Sequence, residues 1–146
     1  MRNLSALAIV ATVLFAHPVF AFDLPGILGG SDEGPKLNLI HVQDLARLMN
    51  DPSGKVYVYD ADPPDVRPST GVIPGAHLLA SSSSYDLSEL PADKDSNLVF
   101  YCHDTKCMAS HAAAKRAIKA GYPNVSVMAD GIMGWRAAGM KVATVN

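Results

Sequence analysis

Cysteine is scarce in this 146-residue chain: there are two, both within "FYCHDTKCMASHAAAKRA", residues 100–117. That excludes a framework of several disulfides, and even with His103 or His111 added the pair lacks the spacing of structural zinc sites, so no metal site is expected. Long apolar runs are missing as well. The apolar stretch of residues 4–16 ends at His17-Pro18 and falls short of the roughly 20 residues a membrane span needs. Basic clusters are also absent. Twelve Lys and Arg are scattered among 14 Asp and Glu for a formal charge of −2, which gives no footprint for nucleic acid.

The chain does contain an N-terminal pattern of one cation at Arg2, the apolar stretch, and the small-residue ending Val19-Phe20-Ala21. This reads as a cleavable secretory signal over residues 1–21, cut after Ala21, and no cysteine near the cut points to a lipid anchor. The expected location is therefore periplasmic or secreted, where an oxidising environment lets any two cysteines that approach form a disulfide. Residues 22–36, "FDLPGILGGSDEGPK", are rich in Gly, Pro and acids without periodicity and read as an extended segment. Residues 37–146 are the size of one ordinary domain.

Along that domain short apolar runs alternate with helical patterns. Strands are expected at residues 37–40, 56–62, just after the Pro74-Gly75 turn, at 98–101 and at 125–128; helices are expected at 42–49, 110–120 and 132–138, with one helical turn at 86–90. Gly121 is expected to cap the helix over 110–120. Continuous apolar strands separated by helices predict an α/β fold, a parallel sheet of about five short strands covered on both faces by helices. In such sheets sites form where the chain leaves the carboxyl ends of the strands. Cys102 stands at such an end.

A thiol placed there, followed by a short turn and a helix starting near Met108 or Ala109, would meet backbone N–H groups that favour its anion. An ordinary thiol, with a pKa of about 8.5, is mostly protonated at neutral pH, so such a cradle would decide whether Cys102 is a nucleophile. His103 and Lys106 would add positive charge beside it and Asp104 would oppose them. Cys102 as inert core is the bland alternative. For Cys107 a bridge to Cys102, a resolving role and simple packing are all open; two free thiols at rest are expected, with the bridge as an oxidised side state, because a loop curled around an anion would turn its last side chain outward. His41, His77 and His111 read as surface or packing residues, Trp135 as core, and the serine run at 81–84 as a plain loop. Asp60 and Asp62 read as strand-end solvation or a cap rather than as general acids, with Asp60 near enough to support the loop.

Together these residues resemble the single-domain rhodanese-like sulfurtransferases. The resemblance rests on a strand ending in Asp60, the turn Ile73-Pro74-Gly75-Ala76, a hydrophobic strand leading into a Cys-initiated loop of six residues, the stretch "GYPNVSVMADGI", and Gly131-Ile132-Met133-Gly134-Trp135. It implies a rhodanese-like three-layer domain in which Cys102 is the catalytic residue and His103, Asp104, Thr105, Lys106 and Cys107 complete the active-site loop. The implied reaction carries sulfane sulfur as a persulfide on Cys102, from thiosulfate or another persulfide to a thiol, a protein sulfur acceptor or cyanide, with no cofactor. The chain departs from the family pattern at Thr105, Cys107, Val72 and Asp60-Ala61-Asp62, and the last departure removes a cation from the strand end. Rival readings are a non-catalytic binding module of the same fold and a thiol–disulfide redox protein using both cysteines, whose spacing is longer than Cys-x-x-Cys. Phosphatase chemistry is disfavoured, since no arginine stands in the loop and Met108 is the sixth residue after Cys102.

Overall fold

The structure, a computed structural model, describes residues 36–52 and 54–145. The expected signal and the extended segment up to residue 35 lie outside the described residues. The elements run β1 (Asn38–Ile40), α1 (Val42–Asn50), β2 (Val56–Asp60), α2 (Arg67–Thr70), β3 (His77–Leu78), a 3-10 turn (Leu87–Glu89), β4 (Asn97–Tyr101), α3 (Ala109–Lys119), β5 (Val125–Met128) and α4 (Gly131–Ala137). Among the described residues no helix is long and apolar enough to cross a membrane.

The strands form one parallel sheet in the order β1-β5-β4-β2-β3. Central β4 has the sequence Asn-Leu-Val-Phe-Tyr and is buried from Leu98 to Tyr101, because helices cover both of its faces. Successive side chains of a strand point to opposite faces, and here that alternation divides the interior into two cores. Leu98, Phe100 and Cys102 face Ala113, Ala114 and Ala117 of α3. Val99 and Tyr101 face the other way, toward Leu45 of α1 and Ile132 and Trp135 of α4. Three alanines on one stripe leave α3 close to the sheet, while Trp135 fills the wider gap on the opposite side and donates its indole N–H to the Lys141 carbonyl at 2.8 Å.

Two features differ from the expected elements. The second strand stops at Asp60 and not at Asp62, because the Asp60 side chain accepts the N–H of Asp62 at 2.8 Å and turns the chain out of the ladder. Helix α2 was not expected at all; at four residues, with Pro68 in its first turn, it is too short to show a helical period. The remaining boundaries agree within two residues. Gly121, at φ 91°, follows α3 as expected.

Candidate active site

All strands being parallel, the segments leaving β2, β4 and β5 meet at one edge of the sheet. Cys102 follows β4 directly, and the loop after it is held from below by the start of α4: Ile132 N–H donates to the Cys102 carbonyl at 2.8 Å and Met133 N–H to the His103 carbonyl at 3.0 Å. Gly131 makes this approach feasible. Its φ is 65°, and a Cβ there would stand 2.5 Å from the carbonyl carbon and oxygen of His103, closer than any side chain is tolerated.

Within the loop, Asp104 organises the turn. Its Oδ1 accepts the N–H groups of Lys106 at 2.9 Å and Cys107 at 3.1 Å, and its carbonyl accepts the Cys107 N–H at 3.1 Å. Thr105 and Lys106 are exposed, whereas His103 and Cys107 are half-buried. The turn brings Cys107 back over Cys102, with Cα atoms 6.3 Å apart, and the two are joined by a disulfide. This corrects the expectation of two free thiols. The last side chain does not turn outward, since the Asp104 carboxylate captures the N–H of Cys107 and so draws the end of the loop inward.

The expected cradle around the sulfur differs as well. Cys102 is buried, and its sulfur lies 3.3 Å from the Cys107 carbonyl oxygen and 3.3 Å from Ser110 Oγ. Among the described residues no backbone N–H donates to it, because the loop donors at 106 and 107 are engaged by Asp104. Ser110, in the first turn of α3, was not recognised from the sequence; its signal is a small hydroxyl residue eight positions after the cysteine, on the helix face that packs against β4. His111, next to it, is pushed toward its neutral form by burial and then by Lys115.

Below the loop, Asp60 is fully buried and well partnered. Tyr101 OH donates to its Oδ2 at 2.8 Å, and the same hydroxyl accepts the N–H of Ile73 at 3.0 Å, which ties the Ile73-Pro74-Gly75-Ala76 turn to the site. Burial, followed by the Asp60 charge, drives the acidity of that phenol strongly down. Arg67 Nε stands 3.4 Å from Asp60 Oδ1, an ion pair without hydrogen-bond alignment. The Arg67 guanidinium donates to the carbonyls of Leu79 at 2.6 Å, Asp62 at 2.7 Å and Asp60 at 3.2 Å. Thus a cation does stand beside Asp60, supplied from α2 rather than from the strand. Sequence reasoning missed Arg67 because nothing local distinguishes it from a surface arginine.

Asp62 is the opposite case. It is 2% exposed, and neither of its carboxylate oxygens has a hydrogen-bond partner. One of these oxygens lies within 4.8 Å of both sulfurs. Its pKa is pushed up to about 6, first by burial and then by the Asp60 charge, against the charges of His103 and Arg67 and a weak pull from the His103 backbone N–H, which falls short of hydrogen-bond geometry. Asp62 lines an open cleft of about 240 Å³ together with Pro63, Pro64, Ser81, Ser82 and Ala109, while its carboxylate oxygens themselves are buried. The serine run therefore contributes to the wall of the site. A larger depression, of about 430 Å³, lies on the outer side of α3 by Lys115, Arg116 and Lys119; neither depression is lined by a residue of the loop 102–107.

Comparison with known proteins matches residues 41–138 to the family model described as "Rhodanese-like domain". No curated protein sequence matches. Similar solved structures include a protein of unknown function from Rhodopseudomonas palustris described as a possible tyrosine phosphatase, 24% identical, TM-score 0.59, covering 73% of this chain and 84% of that one. A thiosulfate sulfurtransferase from Pseudomonas aeruginosa is 21% identical with a TM-score of 0.61, over 75% of this chain and 21% of that one. A single-domain sulfurtransferase from Saccharomyces cerevisiae is 20% identical with a TM-score of 0.58, over 72% of this chain and 93% of that one. At these identities the structures speak for the fold.

Proposed function

Since the chain belongs to the rhodanese-like domain family, we propose that it is an exported sulfurtransferase in which Cys102 takes sulfane sulfur from a small donor, thiosulfate or a persulfide, and passes it to a thiol or cyanide. The observation that carries the reading is the position of Cys102: it follows the central strand at the carboxyl edge of the sheet, above the Asp60–Arg67 pair. In the oxidised form Cys107 occupies the bonding position on that sulfur, so uptake requires the bridge to be opened first. Phosphoryl chemistry has less support, as residues 102–108 contain no arginine to clamp a phosphate. Export, to the periplasm or outside the cell, rests on the signal-like residues 1–21.

The test is thiocyanate formation from thiosulfate and cyanide by protein that has been reduced and desalted. The reduced wild type is expected to turn over, the bridged wild type to be inactive until reduced, and Cys102→Ser to be inactive in both conditions with an unchanged circular-dichroism spectrum. Full activity of Cys102→Ser would refute the assignment.

A second reading is favoured by one specific observation, the Cys102–Cys107 bridge. In it the chain exchanges dithiol for disulfide and handles no sulfane sulfur. It would show reversible loss of two hydrogens with a partner dithiol and no turnover with any sulfane donor.

A further inference from the structure

The surroundings of Cys102 are electronegative. Its sulfur faces the Cys107 carbonyl and the Asp62 carboxyl group, the Ser110 hydroxyl is the one neutral donor within reach among the described residues, and the N–H groups of the turn are engaged by Asp104. A thiolate released at that buried position is disfavoured unless a proton reaches it. Asp62 is the group positioned to supply one: buried, unpartnered at both oxygens, and within 4.8 Å of both sulfurs. Burial outweighs the pull of His103 and Arg67 on this carboxyl and favours its neutral form, and the cleft that residue 62 lines opens to solvent.

We propose that Asp62 is the proton donor and acceptor of the Cys102–Cys107 couple. In opening, the thiolate of a dithiol reductant attacks the more exposed Cys107 sulfur and forms a mixed disulfide. The Cys102–Cys107 bond breaks, its electron pair goes to Cys102 Sγ, and the Asp62 carboxyl proton moves to that sulfur. Asp62 regains a proton from solvent through the cleft. The second thiol of the reductant loses its proton to water and, as a thiolate, displaces Cys107, which leaves as a thiolate and takes a proton from water. The dithiol ends oxidised and the bridge reduced. In the reverse sense the Asp62 carboxylate takes the proton of the Cys102 thiol when that sulfur attacks. The proposal shares with the reading above only the premise that Cys102 is the reacting sulfur; it does not require sulfur transfer.

The charged and titratable groups facing Asp62 are Asp60 of β2, Arg67 of α2, Tyr101 of β4 and His103 of the loop. The experiment measures the rate of bridge opening by a water-soluble phosphine, tris(2-carboxyethyl)phosphine, between pH 5 and pH 8 for wild type, Asp62→Asn and His103→Gln. Taking the ratio to wild type at each pH cancels the ionisation of the reductant. Asp62 carries its proton below about pH 6 and loses it above, so wild type should open about tenfold or more faster than Asp62→Asn at pH 5, with the advantage gone by pH 8. His103→Gln should keep the wild-type profile. A wild-type to Asp62→Asn ratio that does not change with pH, or a step abolished by His103→Gln alone, would overturn the proposal. Asp62→Ala is the second variant, since no hydrogen bond of good geometry to the carboxylate is lost with it, and it should behave as Asp62→Asn. Absence of sulfane transfer alongside an intact pH step would refute the sulfurtransferase reading and leave this one standing.

Discussion

Asp60 and Asp62 are two residues apart, both buried, and differ in almost everything else. Asp60 accepts bonds from a tyrosine hydroxyl and a backbone N–H, and faces an arginine that is itself held by three carbonyls. Asp62 accepts none. The first carboxylate is embedded in a network that fixes the base of the loop, and although Arg67 Nε makes only the ion pair, bonds of this kind at low dielectric make the base rigid. The second is held in place by its backbone, whose carbonyl binds Arg67 while its side chain is left to the sulfur site. A strand end can thus divide structural and chemical roles between adjacent acids, and the hydrogen-bond inventory tells them apart where residue type does not.

The comparison breaks most visibly at Asp60. Asp60→Ala leaves Arg67 buried without its counter-ion and should lower stability by about 3–5 kcal/mol in urea unfolding. A loss below about 1 kcal/mol would mean that the pair does not support the loop. Asp62→Asn should have the opposite sign. The folded state holds the Asp62 proton up to about pH 6, whereas the unfolded chain releases it near the ordinary value of 3.8. Stability is therefore fully present below about pH 4 and lost as pH rises through 6, and the variant should abolish that loss, gaining about 1–3 kcal/mol at pH 7. Urea midpoints at pH 4 and pH 7 check it: the difference between variant and wild type must widen toward pH 7.

Reducing the bridge probes the Asp62 side without touching the Asp60 side. Closing the short loop between residues 102 and 107 constrains the unfolded chain, so reduction should lower stability by about 2 kcal/mol. Measured in wild type and in Asp60→Ala, that decrement should be the same if the two regions are independent. A decrement that vanishes in Asp60→Ala would show that the network under the loop and the bridge above it act as one unit.

The sheet was legible from the sequence because β2, β4 and β5 are continuous β-branched and aromatic runs, and the position of Cys102 followed from the end of one of them. That residues 103–107 form a turn directly after it followed from the same strand end. What stayed hidden depends on long-range partners. Arg67 acquires its meaning from Asp60 and from the carbonyls of Asp62 and Leu79, which the chain brings together only after folding. The disulfide was misjudged because the inward turn at Cys107 comes from Asp104, whose side chain bonds two N–H groups of a turn that was expected to aim its N–H groups at the sulfur. Asp62 read as a solvated acid because residue type and a strand-end position carry no information about burial.

The central claim is that Cys102 accepts sulfane sulfur, and it is tested most directly by mass spectrometry of Cys107→Ser, in which no bridge can form to discharge or block the persulfide. Reduced, desalted Cys107→Ser is incubated with thiosulfate, and the intact mass and the peptide containing residue 102 are measured before and after cyanide is added. The expected result is a gain of one sulfur atom, located on Cys102 and removed by cyanide. No gain in this variant, alongside a wild-type bridge that still opens and closes reversibly, would contradict sulfur transfer and leave a thiol–disulfide protein on a rhodanese-like fold.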